Sequence, residues 1–389
     1  SLYMDLIGSS QDIQSKLLAW FSDNGRHWIP WKLKEDGSSP KAGERISPYE
    51  IWIAEIMLQQ TQLNVVIPYW KKWIKTFPDL SFLVEAKEHN ILMQWQGLGY
   101  YSRAKRIHLS SKLLVDLLGK SSSKDPLSWP IEVSQWITLP GIGRSTAGSI
   151  VSSAFDLPAP ILDGNVKRIL TRLIASDRGI NQNQKTLWQL STFLLSTNEP
   201  RDFNQALMDL GAMVCTIKNP NCLSCPLKKF CLAYIKYDPN NFPKKYMKKN
   251  LPIQEIGIGI VFNKKGELLI AQRMESSSMG GMWEFPGGKK ESDETIENTI
   301  EREIKEEIGI KVNVGEKLLS FIHSYSHKKL HFTVHLCEYL SGDPTPIASQ
   351  KLFWVTPGQL FAFPFPAANT KIISALYSYL GIPNKKTIN

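Results

Sequence analysis

The stretch Leu139-Pro140-Gly141-Ile142-Gly143-Arg144-Ser145-Thr146-Ala147 decides how the first half of the chain is interpreted. A proline and two closely spaced glycines predict a tight turn, and the residues that follow predict the start of a helix. Gly141 and Gly143 would let the backbone approach a phosphate, and the N–H groups at a helix start bind anions. Such a contact is blind to base sequence and positions a duplex. An ordinary glycine turn between two helices is the alternative for this motif taken alone.

Four cysteines follow within a short segment, in the pattern C-x6-C-x2-C-x5-C: Cys215, Cys222, Cys225 and Cys231. Four thiolates this close can ligate a four-cysteine iron–sulfur cluster. Zinc is an alternative occupant, although zinc sites usually use two short-spaced pairs and only one pair is present here. Buried thiols or disulfides are the third interpretation. It is disfavoured because the fifth cysteine, Cys337, is remote and no secretory signal is seen.

Length and composition set the broad class of the protein. A chain of 389 residues predicts two domains, and 42% hydrophobic with 21% charged residues is typical of a globular protein. There is no run of eighteen apolar residues, so we expect no membrane span. The first residues do not have the pattern of a targeting signal. We also expect a cytoplasmic, nucleoid-associated protein that is a monomer. The net charge of +10 suggests a polyanionic partner, but the charge is spread over both halves and locates no binding face.

The hydrophobic pattern changes near residue 240. Earlier segments predict many short helices joined by tight turns, with a polar loop over residues 34–48. Later segments predict strands at 255–262, 268–272, 320–324 and 330–339, and a helix at 292–308. We therefore predict a multi-domain chain, an all-α domain followed by an α+β domain. The predicted bounds are 5–237 for the first domain with its cysteine loop at 212–232, 238–253 for the linker and 254–383 for the second domain.

Two carboxylates are the candidate catalytic groups. Asp163 follows the glycine turn and stands beside Gly164, where an acid is often only an N-cap. Glu55 lies inside the apolar run 51–58, and its neighbours there oppose a solvent-facing position. Burial of Glu55 would raise its pKa and hold its proton.

The order of hairpin, Asp163 and cysteine tail resembles the helix-hairpin-helix DNA glycosylase superfamily. Three segments resemble the MutY family within it: Glu55–Gln62, Gly97–Ala104 and Leu162–Val166. The resemblance covers nearly all of residues 10–235. It implies a helix-hairpin-helix glycosylase domain in which the four cysteines hold a mainly structural [4Fe-4S] cluster. It also implies that basic residues of the cysteine loop meet phosphate: Lys218, Lys228 and Lys229.

The resemblance further implies excision of adenine opposite 8-oxoguanine in double-stranded DNA. In this interpretation Glu55 protonates the departing base, and ionised Asp163 stabilises the sugar cation. Asn165 would hydrogen-bond the Glu55 carboxyl group. Ser145 stands where strand-cleaving relatives carry a lysine, so the resemblance implies a monofunctional enzyme in which Ser145 assists at the sugar or orients water.

A base inside a duplex must be flipped out before it can react, and the vacated space needs a filler. The resemblance gives that wedge role to Gln60 and to one of Tyr100 and Tyr101, while the other tyrosine packs in the core. Together with both hairpin glycines and Arg103, these are the predicted DNA-binding residues.

The C-terminal domain contains a complete Nudix box, Gly288-x5-Glu294-x7-Arg302-Glu303-x2-Glu306-Glu307-x-Gly309. Its family resemblance implies a Nudix fold with Mg²⁺ on Glu303, Glu306 and Glu307, or a fold kept to read 8-oxoguanine without hydrolysis. The loop at Tyr325, Ser326 and His327 resembles the lesion-reading loop and favours the second interpretation. Two rival functions are a nucleotide pyrophosphohydrolase carrying a DNA-binding module and a non-catalytic damage-binding scaffold. Intact Glu55 and Asp163 argue against the scaffold.

Overall fold

The computed structural model describes residues 2–118, 128–245, 251–325 and 328–384. The chain forms two compact units: Ser1–Glu85 with Arg106–Lys248, and Ala86–Lys105 with Lys249–Asn389. The second unit thus includes twenty residues that the sequence assigned to the N-terminal domain. The domain boundaries drawn from the sequence stay predictions. Among the described residues, no helix is both long and apolar enough to cross a membrane.

Helices make up the regular structure before residue 240. Their bounds are α1 Leu2–Gly8, α2 Ser10–Asn24, α3 Pro48–Leu58, α4 Leu63–Thr76, α5 Leu80–Glu85, α6 Glu88–Trp95, α7 Ser102–Leu118, α8 Val133–Ile137, α9 Arg144–Phe155, α10 Gly164–Leu173, α11 Gln184–Leu194, α12 Pro200–Met213 and α13 Leu232–Lys236. The predicted loop at residues 34–48 contains no helix or strand before α3 begins at Pro48.

The helix α3 is one of the largely buried helices that position the site. It begins cleanly because the Ser47 side chain accepts a hydrogen bond from the Glu50 N–H, at 3.2 Å, and proline occupies the first helical position. Apolar side chains are buried around its whole circumference, and Ile53 and Ala54 are fully buried. A helix that is apolar all round must lie inside the unit. It packs on α4 and α9.

The core of the first unit forms where α2, α10, α11 and α12 meet. Leucine and isoleucine side chains dominate this cluster, which also receives the partly buried cysteines Cys215, Cys225 and Cys231. The helix α12 packs on α2, α9 and α10. The helix α9 packs on both α12 and α3. Through these contacts the start of α10, which packs on α12, comes close to the middle of α3.

The helix α9 approaches the segment before α10 unusually closely. A Cβ atom at Gly148 would collide with the carbonyl oxygen of Pro160. Glycine at 148 therefore allows backbone to lie directly against backbone. This contact sets the distance between the hairpin helix and the loop that carries Asp163.

The second unit contains a seven-stranded sheet. Its strands are β1 Ile253–Phe262, β2 Leu268–Gln272, β3 Trp283–Glu284, β4 Gly287–Lys289, β5 Lys311–Ser324, β6 Lys329–Ser341 and β7 Lys351–Val355, and its C-terminal helices are α14 Ile296–Ile308 and α15 Ala367–Leu380. The strand order is β3-β2-β1-β6-β5, with β4 paired to β1 and β7 paired to β2. Strands β1 and β6 run parallel, with Ile258 opposite Val334, and the other pairs are antiparallel.

The predicted strands and helix are present, with two differences in extent. The helix α14 begins at Ile296 and not at residue 292, because the Thr295 side chain accepts from the Asn298 N–H and caps it there. Strand β5 is much longer than the predicted 320–324. Register shifts between Lys311 and Leu319 break its alternation, so the pattern did not indicate a strand there.

Candidate active site

The first unit contains a cavity of about 760 Å³. Glu55 from α3 and Asp163 from the start of α10 both line it, as does Asn165. A smaller adjoining cavity is lined by the same two carboxylates and by Ser145. The four residues predicted to be catalytic are thus brought together by helices that are remote in the sequence.

The Glu55 carboxyl group lies in a largely desolvated position. Burial and, to a smaller extent, the charge of Asp163 raise its pKa, whereas a hydrogen bond from Ser149 and the charge of Lys32 lower it, and the net pKa is about 7. The Ser149 hydroxyl donates to Glu55 Oε1 at 2.8 Å. A carboxyl group in this state holds a proton near neutral pH and can deliver it to a base.

Asn165 does not occupy the place expected of it. Its amide oxygen accepts a hydrogen bond from Arg168 Nη2 at 2.8 Å, whereas the bond to Glu55 in the described residues comes from Ser149. A Cβ atom at Gly211 would lie 2.7 Å from the Asn165 Cβ, so the two helices touch at this point. The expected bond between Asn165 and Glu55 is not seen in the described residues, and the amide oxygen of Asn165 is bonded to Arg168 instead.

Asp163 is both an N-cap and a member of the cavity wall. Its Oδ1 accepts from the Val166 N–H at 2.8 Å, which begins α10. Burial raises the pKa of Asp163, whereas the Val166 N–H and the charge of Arg168 lower it. The pKa of both acids is raised, but Asp163 has more partners that favour its anion. Asp163 can therefore be the N-cap of α10 and a candidate catalytic group at the same time.

Ser145 holds the loop that leads to Asp163. Its hydroxyl oxygen accepts a hydrogen bond from the Leu162 N–H at 3.0 Å. This bond ties the first turn of α9 to the residue before Asp163. Ser145 is therefore placed to orient the catalytic loop, and it lies on the wall of the smaller cavity.

Several charged residues of the cavity were not predicted from the sequence, among them Asp209, Lys32 and Arg26. Asp209 is fully buried; it accepts from the Arg26 N–H at 2.7 Å and from Arg26 Nε at 2.8 Å. Lys32 lies 3.5 Å from the same carboxylate, and burial lowers its pKa. An acid inside the apolar face of α12 is the same signal that singled out Glu55. Arg26 and Lys32 lie in an aperiodic segment that offered no such signal.

The hairpin takes the form that the sequence predicted. Gly141 has a φ of +80°, which favours glycine, whereas Gly143 has a φ of −89° and caps α9. The turn is anchored to the end of α3, because Gln59 Nε2 donates to the Gly141 carbonyl oxygen at 3.1 Å. Only Gly141 requires glycine for its backbone conformation, and the role of both in DNA binding stays a prediction.

The predicted wedge residues differ in exposure. Gln60, in the first unit, is exposed and has a φ of +61°. In the second unit Tyr101 is only 2% exposed and its hydroxyl donates to the Phe365 carbonyl oxygen at 3.1 Å, whereas Tyr100 is 42% exposed with a φ of +48°. The expectation that one tyrosine packs in the core is met by Tyr101, which leaves Tyr100 available.

Arg103 is not available to a phosphate group. It is 4% exposed, its guanidinium donates to the Gly99 and Tyr100 carbonyl oxygens, and it lies over the Trp95 ring. Burial lowers the pKa of Arg103 to about 10. The guanidinium thus shapes the turn before α7, in place of the predicted direct contact with DNA.

The four clustered cysteines line one small cavity together with Arg172. All four are free thiols, so the structure does not contain the disulfides that were one alternative. Arg172 Nη1 donates to Cys215 Sγ at 3.3 Å, and the Leu227 N–H donates to Cys225 Sγ at 3.4 Å. No group of metal-ligating side chains in the described ranges has the geometry of a closed site. The shared cavity and the donors to sulfur nevertheless suit a soft metal held by thiolates.

Two buried arginines of α10 connect this loop to the catalytic residues. Arg168 donates to the Cys215 carbonyl oxygen at 2.8 Å and to Asn165. Arg172 donates to the Thr216 and Ile217 carbonyl oxygens at 2.7 and 3.0 Å. The helix that begins at Asp163 therefore also fixes the cysteine loop.

Three of the Nudix acids lie on α14, Glu294 precedes it, and Arg302 of the helix bridges Glu294 to two of them. Arg302 donates to Glu294 at 2.6 Å, to Glu303 at 3.0 Å and to Glu306 at 3.1 Å. Burial, with the charges of Glu303 and Glu284, raises the pKa of Glu307 to about 7. These acids do not form a closed metal site among the described residues. The predicted Mg²⁺ on Glu303, Glu306 and Glu307 stays a prediction.

A second cavity, of about 420 Å³, lies within the second unit. Tyr100, Lys105, His323 and Tyr325 line it. The rings of His323 and Tyr325 pack edge to face with centroids 4.8 Å apart. The other two residues of the predicted lesion-reading loop, Ser326 and His327, lie outside the described residues.

Comparisons with known proteins agree with this arrangement. A family model described as "HhH-GPD superfamily base excision DNA repair protein" matches residues 53–192, and a "NUDIX domain" model matches residues 257–375. The adenine DNA glycosylase of Buchnera aphidicola subsp. Acyrthosiphon pisum (strain APS) is 36% identical over 285 residues, which span 72% of this chain and 75% of its own length. The chain belongs to the adenine DNA glycosylase family.

Other members of the family and solved structures are similar over less of their length or at lower identity. The adenine DNA glycosylase of Mus musculus is 33% identical over 328 residues, which span 72% of this chain and 61% of its own. A solved structure of a thermostable thymine-DNA glycosylase is 24% identical, with a TM-score of 0.49, and covers 58% of this chain and 97% of its own. The resemblance to the MutY family and the predicted fold class are confirmed.

Glu55 should oppose folding above neutral pH. The ordinary pKa of 4.5 applies to the unfolded chain and about 7 to the folded one. Below the pKa of the unfolded chain, Glu55 is protonated in both states and no stability is lost. As pH rises from that pKa to the pKa of the folded chain, about 3 kcal/mol of stability is lost. Glu55→Gln should therefore be more stable than wild type at pH 8, with little difference at pH 4.5.

Urea unfolding followed by tryptophan fluorescence at the two pH values measures this difference. Glu35→Gln, at an exposed position of the same unit, is the matched control and should show no gain. Equal stability of Glu55→Gln and wild type at pH 8 would contradict the assignment of a desolvated Glu55.

Proposed function

We propose that the protein is a DNA repair glycosylase that hydrolyses the N-glycosidic bond of adenine mispaired with 8-oxoguanine or guanine in double-stranded DNA. The observation that carries this proposal is the meeting of Glu55 and Asp163 on one cavity wall in a member of the adenine DNA glycosylase family. The net charge of +10 is consistent with a polyanionic partner.

Glu55 is the general acid in this proposal. Adenine leaves readily only when one of its ring nitrogens is protonated, and a carboxyl group with a pKa near 7 keeps a proton to donate. The flipped base enters the 760 Å³ cavity, where Arg26, held in place by the buried Asp209, offers a donor to its edge.

Asp163 stabilises the sugar in this proposal. Departure of the base leaves positive charge on the sugar ring, and a fixed carboxylate near it lowers the barrier. The Val166 N–H and Arg168 favour the anionic form of Asp163. Ser145 fixes the loop through Leu162 and, as a hydroxyl group, forms no Schiff base with the sugar, so the strand stays intact.

The proposal predicts that Glu55→Gln and Asp163→Asn lose excision by on the order of 10²–10³ or more, while duplex binding is retained. The first change removes the proton donor and the second removes the anion. Single-turnover excision on duplexes with adenine opposite 8-oxoguanine, guanine and thymine, before and after alkali, measures both base loss and strand cleavage. The wild-type rate should fall as pH rises through about 7, because Glu55 loses its proton there.

Two outcomes would reject parts of this mechanism. Near-normal rates in Asp163→Asn would exclude Asp163 as the stabiliser. Strong strand cleavage before alkali, with borohydride trapping near Ser145, would exclude a monofunctional enzyme. Glu35→Gln serves again as the control and should match wild type at every pH.

The second part of the proposal concerns the cysteine loop, which we infer to hold a [4Fe-4S] cluster. Cys215, Cys222, Cys225 and Cys231 would be its ligands, since they line one cavity. Such a cluster would cross-link the loop, and hydrolysis of a glycosidic bond calls for no electron transfer.

Purified protein should be yellow-brown and contain about four irons and four sulfides per chain. Cys225→Ser should lose iron because one thiolate ligand is removed. Cys337→Ser is the matched control, since Cys337 is a buried thiol of the other unit, and it should keep the full iron content. Stoichiometric zinc in a colourless, fully active protein would contradict the cluster.

The third part of the proposal is that the second unit reads 8-oxoguanine. The cavity lined by Tyr100 and Tyr325 combines two aromatic rings with polar groups, which suits a nucleic acid base. The lesion differs from guanine by an N7–H donor and an O8 acceptor, and Ser326 is the proposed hydrogen-bonding partner. The ring of Tyr100 is the proposed wedge.

Ser326→Ala and Tyr325→Ala should each lower the preference for adenine opposite 8-oxoguanine over adenine opposite guanine. A lost contact that discriminates bases changes the free energy by roughly 1–3 kcal/mol. Single-turnover rates on the two duplexes give the preference directly. Tyr379→Ala changes an exposed tyrosine of α15 and should leave the preference unchanged.

A Nudix hydrolase is the competing function for the second unit. If the lesion preference is unchanged in both variants, the lesion-reading role is wrong. Mg²⁺-dependent release of pyrophosphate from an oxidised nucleoside triphosphate, abolished in Glu306→Gln, would then assign hydrolysis to this unit.

A further inference from the structure

We propose that Ser149 is a positioning residue for Glu55, one that orients the acid and stabilises the carboxylate left behind when the proton is donated. The proposal rests on the function proposed above for Glu55. Ser149 lies outside the segments that singled out the predicted catalytic residues.

The geometry of Ser149 is set by the packing of α9. It lies one helical turn after Ser145, and this i, i+4 spacing puts both side chains on one face of the helix. It is 6% exposed, and its hydroxyl oxygen is 2.8 Å from Glu55 Oε1. The neighbouring Gly148 presses α9 against Pro160, so Ser149 cannot withdraw from Glu55 by a small helix shift.

The hydrogen bond distinguishes the two oxygens of the acid. Ser149 donates to Oε1, and no other hydrogen bond to the Glu55 carboxyl is present in the described residues. Oε1 is therefore held as an acceptor, which leaves Oε2 to carry the acidic proton in this proposal. Both residues line the cavity, and the bond holds the carboxyl group in one orientation on its wall.

The same bond becomes stronger as the proton leaves. A hydroxyl donating to a carboxylate forms a charge-assisted hydrogen bond, which is roughly twice as strong as a neutral one. Ser149 therefore favours the transition state, in which Glu55 becomes negative, over the ground state. It also lowers the pKa of Glu55 against the effect of burial.

Other charged groups near Glu55 also affect its pKa. Asp163 raises the pKa of Glu55 and Lys32 lowers it. The remaining charged groups on the cavity wall are Arg26, Arg168, Asp209 and Lys218. None of them is changed by a substitution at Ser149.

The test compares pH profiles of single-turnover excision on the duplex with adenine opposite 8-oxoguanine. Ser149→Ala should lower the rate plateau about tenfold, the scale of a hydrogen bond to a charged group. Its alkaline limb should move to higher pH, because the bond that lowered the pKa of Glu55 is gone. A purely structural role would not move this limb.

Two variants make the comparison specific. Ser149→Thr keeps the hydroxyl, and the cavity leaves room for its methyl group, so the plateau and the limb should return toward wild type. Ser111→Ala removes a buried serine of α7 in the same unit. Its hydroxyl donates to the His108 carbonyl oxygen, outside both cavities that Glu55 lines, so this variant should keep the wild-type profile.

The outcomes separate this proposal from the one on which it rests. If Ser149→Ala keeps the wild-type plateau rate and the wild-type alkaline limb while Glu55→Gln is inactive, only the role of Ser149 is overturned. Activity retained in Glu55→Gln would overturn the acid itself. Failure of Ser149→Thr to restore the profile would also count against a hydroxyl-specific role.

Discussion

Burial of the Glu55 carboxyl group is the constraint on which the rest of the first unit depends. Ionising this group inside the fold is unfavourable, which is what keeps its proton available near neutral pH. The same property weakens the folded state, so α3 must be held in place by the apolar packing around its circumference. Stability and reactivity are in this sense opposite consequences of one buried acid.

The helix α10 connects the cavity that Glu55 lines to the cysteine loop. Its first residues bring Asp163 and Asn165 to the cavity, and its buried arginines donate to the backbone of the cysteine loop. A guanidinium group presents several donors in a rigid plane, so it can join carbonyl groups that belong to different segments. One short helix therefore fixes the relative positions of the carboxylate proposed to stabilise the sugar and the four clustered thiols.

Much of this could be predicted because some signals are local. An acid in an apolar run, glycines at a turn and the spacing of the cysteines are visible without knowledge of the fold, and they led to Glu55, Gly141 and the thiol cavity. The fold class followed from the change in hydrophobic pattern and is confirmed by the family models. Bounds that depend on caps, such as the start of α14 at Ile296, were less accurate.

The remaining features depend on tertiary contacts. Ser149 is one serine among several on α9 until the packing of that helix puts it beside Glu55. Arg103 has the charge of a DNA-binding residue, and only its carbonyl partners reveal that it is used inside the turn. Asn165 was assigned to Glu55 by resemblance, whereas Arg168 holds it in this chain. Partner choice among nearby polar groups is a property of three-dimensional distance that a linear pattern does not encode.

The segment Ala86–Lys105 limits how the sheet-containing unit could be exchanged between related proteins. Although it precedes most of the helices, it belongs to the unit that contains the sheet, with Tyr101 bonded to Phe365 and Lys105 paired with Glu275 at 2.7 Å. A chimera that joined a foreign sheet at the linker would separate these partners, and the Tyr101 hydroxyl would lose its bond to Phe365. An exchange of the sheet that also preserves these contacts has to carry the segment with it, although the two are far apart in the sequence.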